Sequence, residues 1–147
     1  MKEEQKIGFG LVLRAIAKKD DKLLLLQRPS KSSHDNGRWE LPGGKIKKGE
    51  FFDEGLRREV KEETGLDIKI LGFFEAVEDN FTACKNHEVI RSVNVGMHSV
   101  LEDGEIQLSR EHRDYGWFSK EELISLADED KLTRVCKSLL EKGNYDF

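Results

Sequence analysis

The sequence predicts an α/β domain, an α/β/α sandwich built on a mixed β-sheet. Three observations predict it. Two strand-patterned apolar segments come early, residues 7–17 and Lys22–Gln27. A helical stripe follows, with Phe52, Leu56 and Val60 at i, i+4 spacing. The full order reads strand, strand, helix, strand, strand, strand, helix, helix, which places helices on both faces of one sheet.

The elements are justified in turn. In residues 7–17, Phe9, Leu11, Leu13 and Ala15 share one alternation, the period of a strand. Lys18, Lys19, Asp20 and Asp21 form a hairpin turn. The near-continuous apolar run of Lys22–Gln27 suits a strand buried on both faces. Residues 30–37 read as a polar loop. Pro42 then restrains Leu41 to extended backbone, and Gly43 and Gly44 permit close approach of a ligand. After the helix, residues 67–77 read as a strand, 79–87 as a polar loop containing Phe81, and Val89–Leu101 as a further strand. An acidic turn spans 102–105, and a short strand spans 115–118. Ser119 with Glu122 forms a capping box for the next helix. Leu132, Val135, Cys136, Leu139 and Leu140 make the stripe of the last helix, which ends at Gly143.

The chain has 147 residues, which suits one domain spanning 1–147 with a real core. Its net charge of −4 argues against a stable nucleic-acid partner, since such binders are usually basic. Cys84 and Cys136 suggest neither a disulfide framework nor a zinc site. The first ten residues lack the apolar region of a signal peptide, and the leucine run at 23–26 is too short to cross a membrane. A cytoplasmic protein is expected.

The chemistry centres on residues 44–66. Glu59, Glu62 and Glu63 fall within an arc of roughly 100° on one helix face. Carboxylates about 5 Å apart repel by roughly 3 kcal/mol per pair at an effective dielectric near 20, so a cation should offset them. Glutamate oxygens are hard ligands and suit Mg²⁺ or Mn²⁺. Arg57 and Lys61 face water, Arg58 stands one turn before Glu62, Gly55 beside the stripe permits close approach of a backbone, and Gly65 is a C-cap. The GxxxxG spacing from Gly44 to Gly49 is not a P-loop, because Glu50 and Phe51 stand where Lys and Ser/Thr are needed.

The pattern Gly44, Glu50, Arg58-Glu59-Val60, Glu62-Glu63, Gly65-Leu66 resembles the complete signature of the Nudix hydrolases. The resemblance implies the Nudix fold and hydrolysis of a nucleoside diphosphate linked to a group X, with Mg²⁺ or Mn²⁺ as cofactor. It implies metal ligation by Glu59 and Glu63, with Glu62 as ligand or as base through water, and by the Gly43 carbonyl of the Pro-Gly-Gly turn. Glu50 would support the metal or its water shell. Some members take a general base from a loop outside the signature, and Glu111 is the candidate here. Its plain alternative is an ion pair with Arg110 or Arg113; Glu102, Asp103 and Glu105 are further candidates.

Arg28, Arg38 and Lys45 flank the glycine turn and are candidates to meet phosphates. Trp39, Phe81, Tyr115 and Trp117 are open as base-stacking residues. The histidines His34, His87, His98 and His112 show no ligand spacing. The 108–118 segment is similar to that of nucleotide-cleaving Nudix members, and residues 23–28 and 39–45 are similar to members that clean up nucleoside triphosphates. The implied substrate is a (deoxy)nucleoside triphosphate cut to monophosphate and pyrophosphate. Dinucleoside polyphosphates and nucleotide sugars are the alternatives, with a non-catalytic nucleotide-binding sensor and an RNA-end pyrophosphohydrolase as other classes. Family members often form homodimers, and no membrane partner is expected.

Overall fold

The computed structural model describes residues 7–30, 36–82 and 88–147. Ten elements follow in order: β1 (Ile7–Lys19), β2 (Lys22–Gln27), β3 (Trp39–Glu40), β4 (Gly43–Lys45), α1 (Phe52–Thr64), β5 (Ile68–Thr82), β6 (Val89–Leu101), β7 (Asp114–Phe118), α2 (Lys120–Asp128) and α3 (Arg134–Lys142). The sheet is mixed. β1 runs parallel to β6, which is antiparallel to β5. β1 also pairs antiparallel with β4 at Val12–Lys45, Leu13–Gly44 and Arg14–Gly43, and its end turns into β2. Asp20 and Asp21 make that two-residue turn at φ of 50° and 60°. β2 carries β3 and β7.

The leucine run of β2 shows why the layers form. Leu24 and Leu26 join Leu13, Ala15, Ala17, Leu56, Val60, Ile68 and Met97 in a core under α1. Leu23 and Leu25 point the other way, into a core with Ile16, Leu41, Leu123, Cys136 and Leu139 that α2 and α3 cover. A strand with period-two side chains and apolar residues at every position must be covered on both faces.

Three local expectations are corrected. Of the helical stripe, Leu56 and Val60 are buried, whereas Phe52 is half exposed; burial begins one turn into α1. Gly55 admits side chains rather than a backbone, since a Cβ there would stand 2.5 Å from Ile46 Cδ1 and 2.8 Å from Glu50 Oε1. β5 continues past Val77, because Asp79 and Asn80 complete a ladder with Ser92 and Arg91 that satisfies their backbone groups. Phe81 and Thr82 continue the same ladder, opposite Ile90 and Val89; residues 83–87 of that expected loop, with Cys84 and His87, lie outside the described residues, as does His34. The capping box of α2 is present: Ser119 Oγ accepts the Glu122 N–H, and Glu122 Oε1 accepts the Ser119 N–H. No helix among the described residues is long and apolar enough to cross a membrane.

Candidate active site

The site forms where the turn between β3 and β4 meets the last turns of α1. Gly43 has φ +139°, and a Cβ there would stand 2.0 Å from the Leu13 carbonyl oxygen. Only glycine lets the turn press against β1 this closely. The Gly43 N–H donates to Glu63 Oε1 at 2.7 Å. Arg14 Nη1 donates to the carbonyls of Leu41 at 3.1 Å and Gly43 at 3.4 Å. At Gly44 a Cβ would meet the Glu59 carboxylate at 2.6 Å, so the missing side chain is what makes room for Glu59.

The three helix glutamates have different surroundings. Glu63 is buried, Glu59 is mostly covered, and Glu62 is exposed. Burial pushes the Glu63 carboxyl up to about 8; the Gly43 N–H and Arg14 oppose the shift, and the charges of Glu40 and Glu59 add to it. Arg58 supplies the cation that the crowded carboxylates require. It binds Glu50 through two bonds, Nη2 to Oε1 at 2.7 Å and Nε to Oε2 at 3.1 Å. Its Nη1 also reaches Glu59 at 3.1 Å and Glu62 at 3.3 Å. The Arg58 hydrogen bonds and the Lys47 N–H hold the Glu50 carboxyl down to about 2.

A second, buried network backs the turn. Glu40 Oε2 stands 2.6 Å from His112 Nε2 and accepts from Arg28 Nη1 at 3.2 Å, while Oε1 is 3.8 Å from Arg14 Nη1. Burial alone would raise the Glu40 carboxyl, but the His112 bond and the two arginine charges hold it below the usual carboxylate range. On the other side of its ring, His112 Nδ1 lies 3.6 Å from Glu63 Oε2. One ligand atom from each of Glu63, Glu111 and His112 falls within 4.8 Å of the others.

The sequence-derived candidates therefore separate. Glu59 and Glu63 meet Gly43 and Gly44 at the turn, while Glu62 and Glu50 are tied in through Arg58. Glu111 arrives beside Glu63 from the 108–113 segment. Arg28 reaches into the buried network, and Lys45 lines an open cavity of about 660 Å³ with Phe9, Leu11 and Glu59. Arg38 is held by Asp130, at 3.1 Å to its carbonyl and 2.8 Å to its carboxylate. Trp39 packs edge-on against Phe118. Sequence reasoning missed Arg14, Glu40 and His112. An arginine inside an apolar strand was a visible signal for the first. Nothing local announces the other two, because their partners come from distant segments.

The donor set fits a hard divalent cation. It offers carboxylate oxygens beside a turn whose own residues carry no side chains. A mixed-sheet sandwich whose carboxylate-bearing helix faces a Pro-Gly-Gly turn defines a Nudix hydrolase. The NUDIX domain profile matches residues 6–137, and the chain belongs to that family of hydrolases. It is similar to the nucleoside triphosphatase NudI of Escherichia coli, 30% identical over 93 residues that make up 60% of this chain and 66% of the relative, just under two thirds of its length. The MutT protein of Methanosarcina mazei Go1 superposes with a TM-score of 0.75 at 25% identity, over 97% of this chain and 98% of that one. An ADP-ribose pyrophosphatase from Streptococcus suis matches with a TM-score of 0.63 at 25% identity, over 94% of each chain.

Proposed function

We propose that this Nudix hydrolase is a Mg²⁺- or Mn²⁺-dependent pyrophosphohydrolase that cuts (deoxy)nucleoside triphosphates to monophosphate and pyrophosphate in the cytoplasm. The observation that carries this reading is the placing of Glu59 and Glu63 against the Gly43–Gly44 turn, with Glu111 beside Glu63 and Glu62 linked to Glu59 through Arg58. The nucleoside triphosphatase relative and the MutT likeness support the choice of substrate.

Glu59, Glu63 and the Gly43 carbonyl would hold the cation, with Glu62 either a further ligand or the base. When bound, the cation neutralises phosphate charge and lowers the pKa of a coordinated water. The protein's own groups do the rest. Water oxygen adds to one phosphorus, and the bridging oxygen leaves with the other phosphoryl group. The proton lost by water goes to Glu62 or Glu111, both exposed carboxylates. Lys45 offers an exposed ammonium beside Glu59, and Arg28 a guanidinium anchored on Glu40, to meet phosphate oxygens. Arg38, engaged on Asp130, is the third candidate and stands behind these two. Arg58 keeps the carboxylates from repelling one another before the cation arrives.

The test is turnover of purified protein with Mg²⁺ against nucleoside triphosphates, dinucleoside polyphosphates, nucleotide sugars including ADP-ribose, and 5′-triphosphate RNA. Expected are pyrophosphate and monophosphate from a triphosphate, with Glu62→Gln and Glu111→Gln assayed in parallel; loss of about 100-fold or more marks the base. Preference for a dinucleoside polyphosphate, a nucleotide sugar or RNA would replace the substrate. Tight nucleotide binding without turnover on the whole panel would replace the hydrolase with a sensor.

A further inference from the structure

His112 is buried, with a side chain 1% exposed, yet its Nδ1 has no hydrogen-bond partner among the described residues. The Glu40 carboxylate explains how the ring is set. Arg28 and Arg14 accompany Glu40, which is therefore an anionic acceptor, and His112 Nε2 must donate to it at 2.6 Å. In the neutral ring this leaves a bare lone pair on Nδ1. That lone pair faces Glu63 Oε2 at 3.6 Å, with the Glu111 carboxylate completing a group within 4.8 Å. Ligand atoms from three side chains lie together here, and a buried acceptor left without a partner is costly. A carboxylate behind an imidazole, fixing its tautomer so that the other nitrogen is presented, is the arrangement by which proteins offer histidine to a metal.

We propose that His112 is a metal ligand, and that with Glu63 and Glu111 it forms a mixed nitrogen–oxygen site that selects Mn²⁺ and other first-row transition ions over Mg²⁺. The inference rests on the reading of this region as a divalent-cation centre. The helix glutamates and the Gly43 carbonyl are an all-oxygen set, which Mg²⁺ accepts. An imidazole nitrogen favours transition ions instead. Glu63 joins the two sets, since Oε1 takes the Gly43 N–H and Oε2 turns toward His112. With Glu111 drawn into ligation, Glu62 is the carboxylate left to take the proton from water.

The test needs no substrate. The full chain is loaded with Mn²⁺, and pulsed electron paramagnetic resonance reads whether nitrogen is bound directly. The wild type should show a nitrogen coupling that changes when the chain carries isotope-labelled histidine. His112→Gln should lose it and bind Mn²⁺ about 10-fold or more weakly, with Mg²⁺ affinity changed less than about 2-fold. An all-oxygen spectrum in the wild type would overturn the proposal without any variant having to fold. A coupling that survives in His112→Gln would overturn it too. The two readings fail separately. Turnover with an all-oxygen spectrum keeps the hydrolase and removes His112 from the site. Nitrogen coupling without turnover keeps the site and removes the hydrolase.

Discussion

Gly43 and Gly44 are neighbours with opposite constraints. At Gly43 a Cβ would collide with backbone, 2.0 Å from the Leu13 oxygen and 2.9 Å from Arg14 Cα, at a φ of +139°. Backbone of a core strand cannot step aside. At Gly44 the obstacle is the end of a flexible side chain, the Glu59 carboxylate at 2.6 Å. Gly43→Ala should therefore lose about 3 kcal/mol or more of folding stability, read from urea unfolding. Gly44→Ala should fold nearly as the wild type but displace Glu59, with Mg²⁺ affinity reduced in calorimetry. Equal stability losses in the two variants would contradict this assignment.

At the scale of the element, the guanidinium of Arg58 ties together the carboxylate edge of α1. Arg58 spans Glu50, Glu59 and Glu62, and a lysine cannot reproduce that fork. Arg58→Lys should cost about 10- to 100-fold in turnover, with little change in the helical signal by circular dichroism. The same pairing sets an acid response. The folded-state value for Glu50 is depressed, from 4.5 to about 2, so its contribution to stability is present above pH 4.5 and is lost as pH falls toward 2. Wild type should exceed Glu50→Gln in stability at neutral pH, and the gap should close between those two values. A gap that persists in acid would mean that the loss comes from packing rather than charge.

For the whole molecule, a cation at the proposed site would couple its binding to folding. Gly43 sits between β1 and α1, and Glu63 holds it to the helix, so a cation bound there would tie the turn, the helix and the sheet together. A divalent ion at about 100 times its dissociation constant should add about 2.7 kcal/mol to the folded state. Thermal melting with and without Mg²⁺ or Mn²⁺ should show a rise of several degrees, and a Glu59→Gln, Glu63→Gln double variant should show none. A rise that survives in the double variant would place the cation elsewhere.

The leucine run of β2 and the stripe of α1 were legible because strand and helix periods are local properties of a chain, and each demands cover on a definite face. Glu59, Glu62 and Glu63 were legible for the same reason, since i, i+3 and i, i+4 neighbours share a helix face in any fold. Phe52 was misjudged because periodicity shows which way a side chain points and not whether anything is there to meet it. The extension of β5 was missed because polar residues join a strand when a partner such as β6 supplies the ladder. By itself, then, the sequence determined the layers, the helix that carries the carboxylates, and the family. Only the tertiary structure decided that Arg14, Glu40 and His112 stand behind Gly43 and Glu63, and that Arg38 is held by Asp130. Those contacts join segments far apart in the chain, so no local period records them; they exist only once two packed cores have set β1, the glycine turn, α1 and the 108–113 segment against one another.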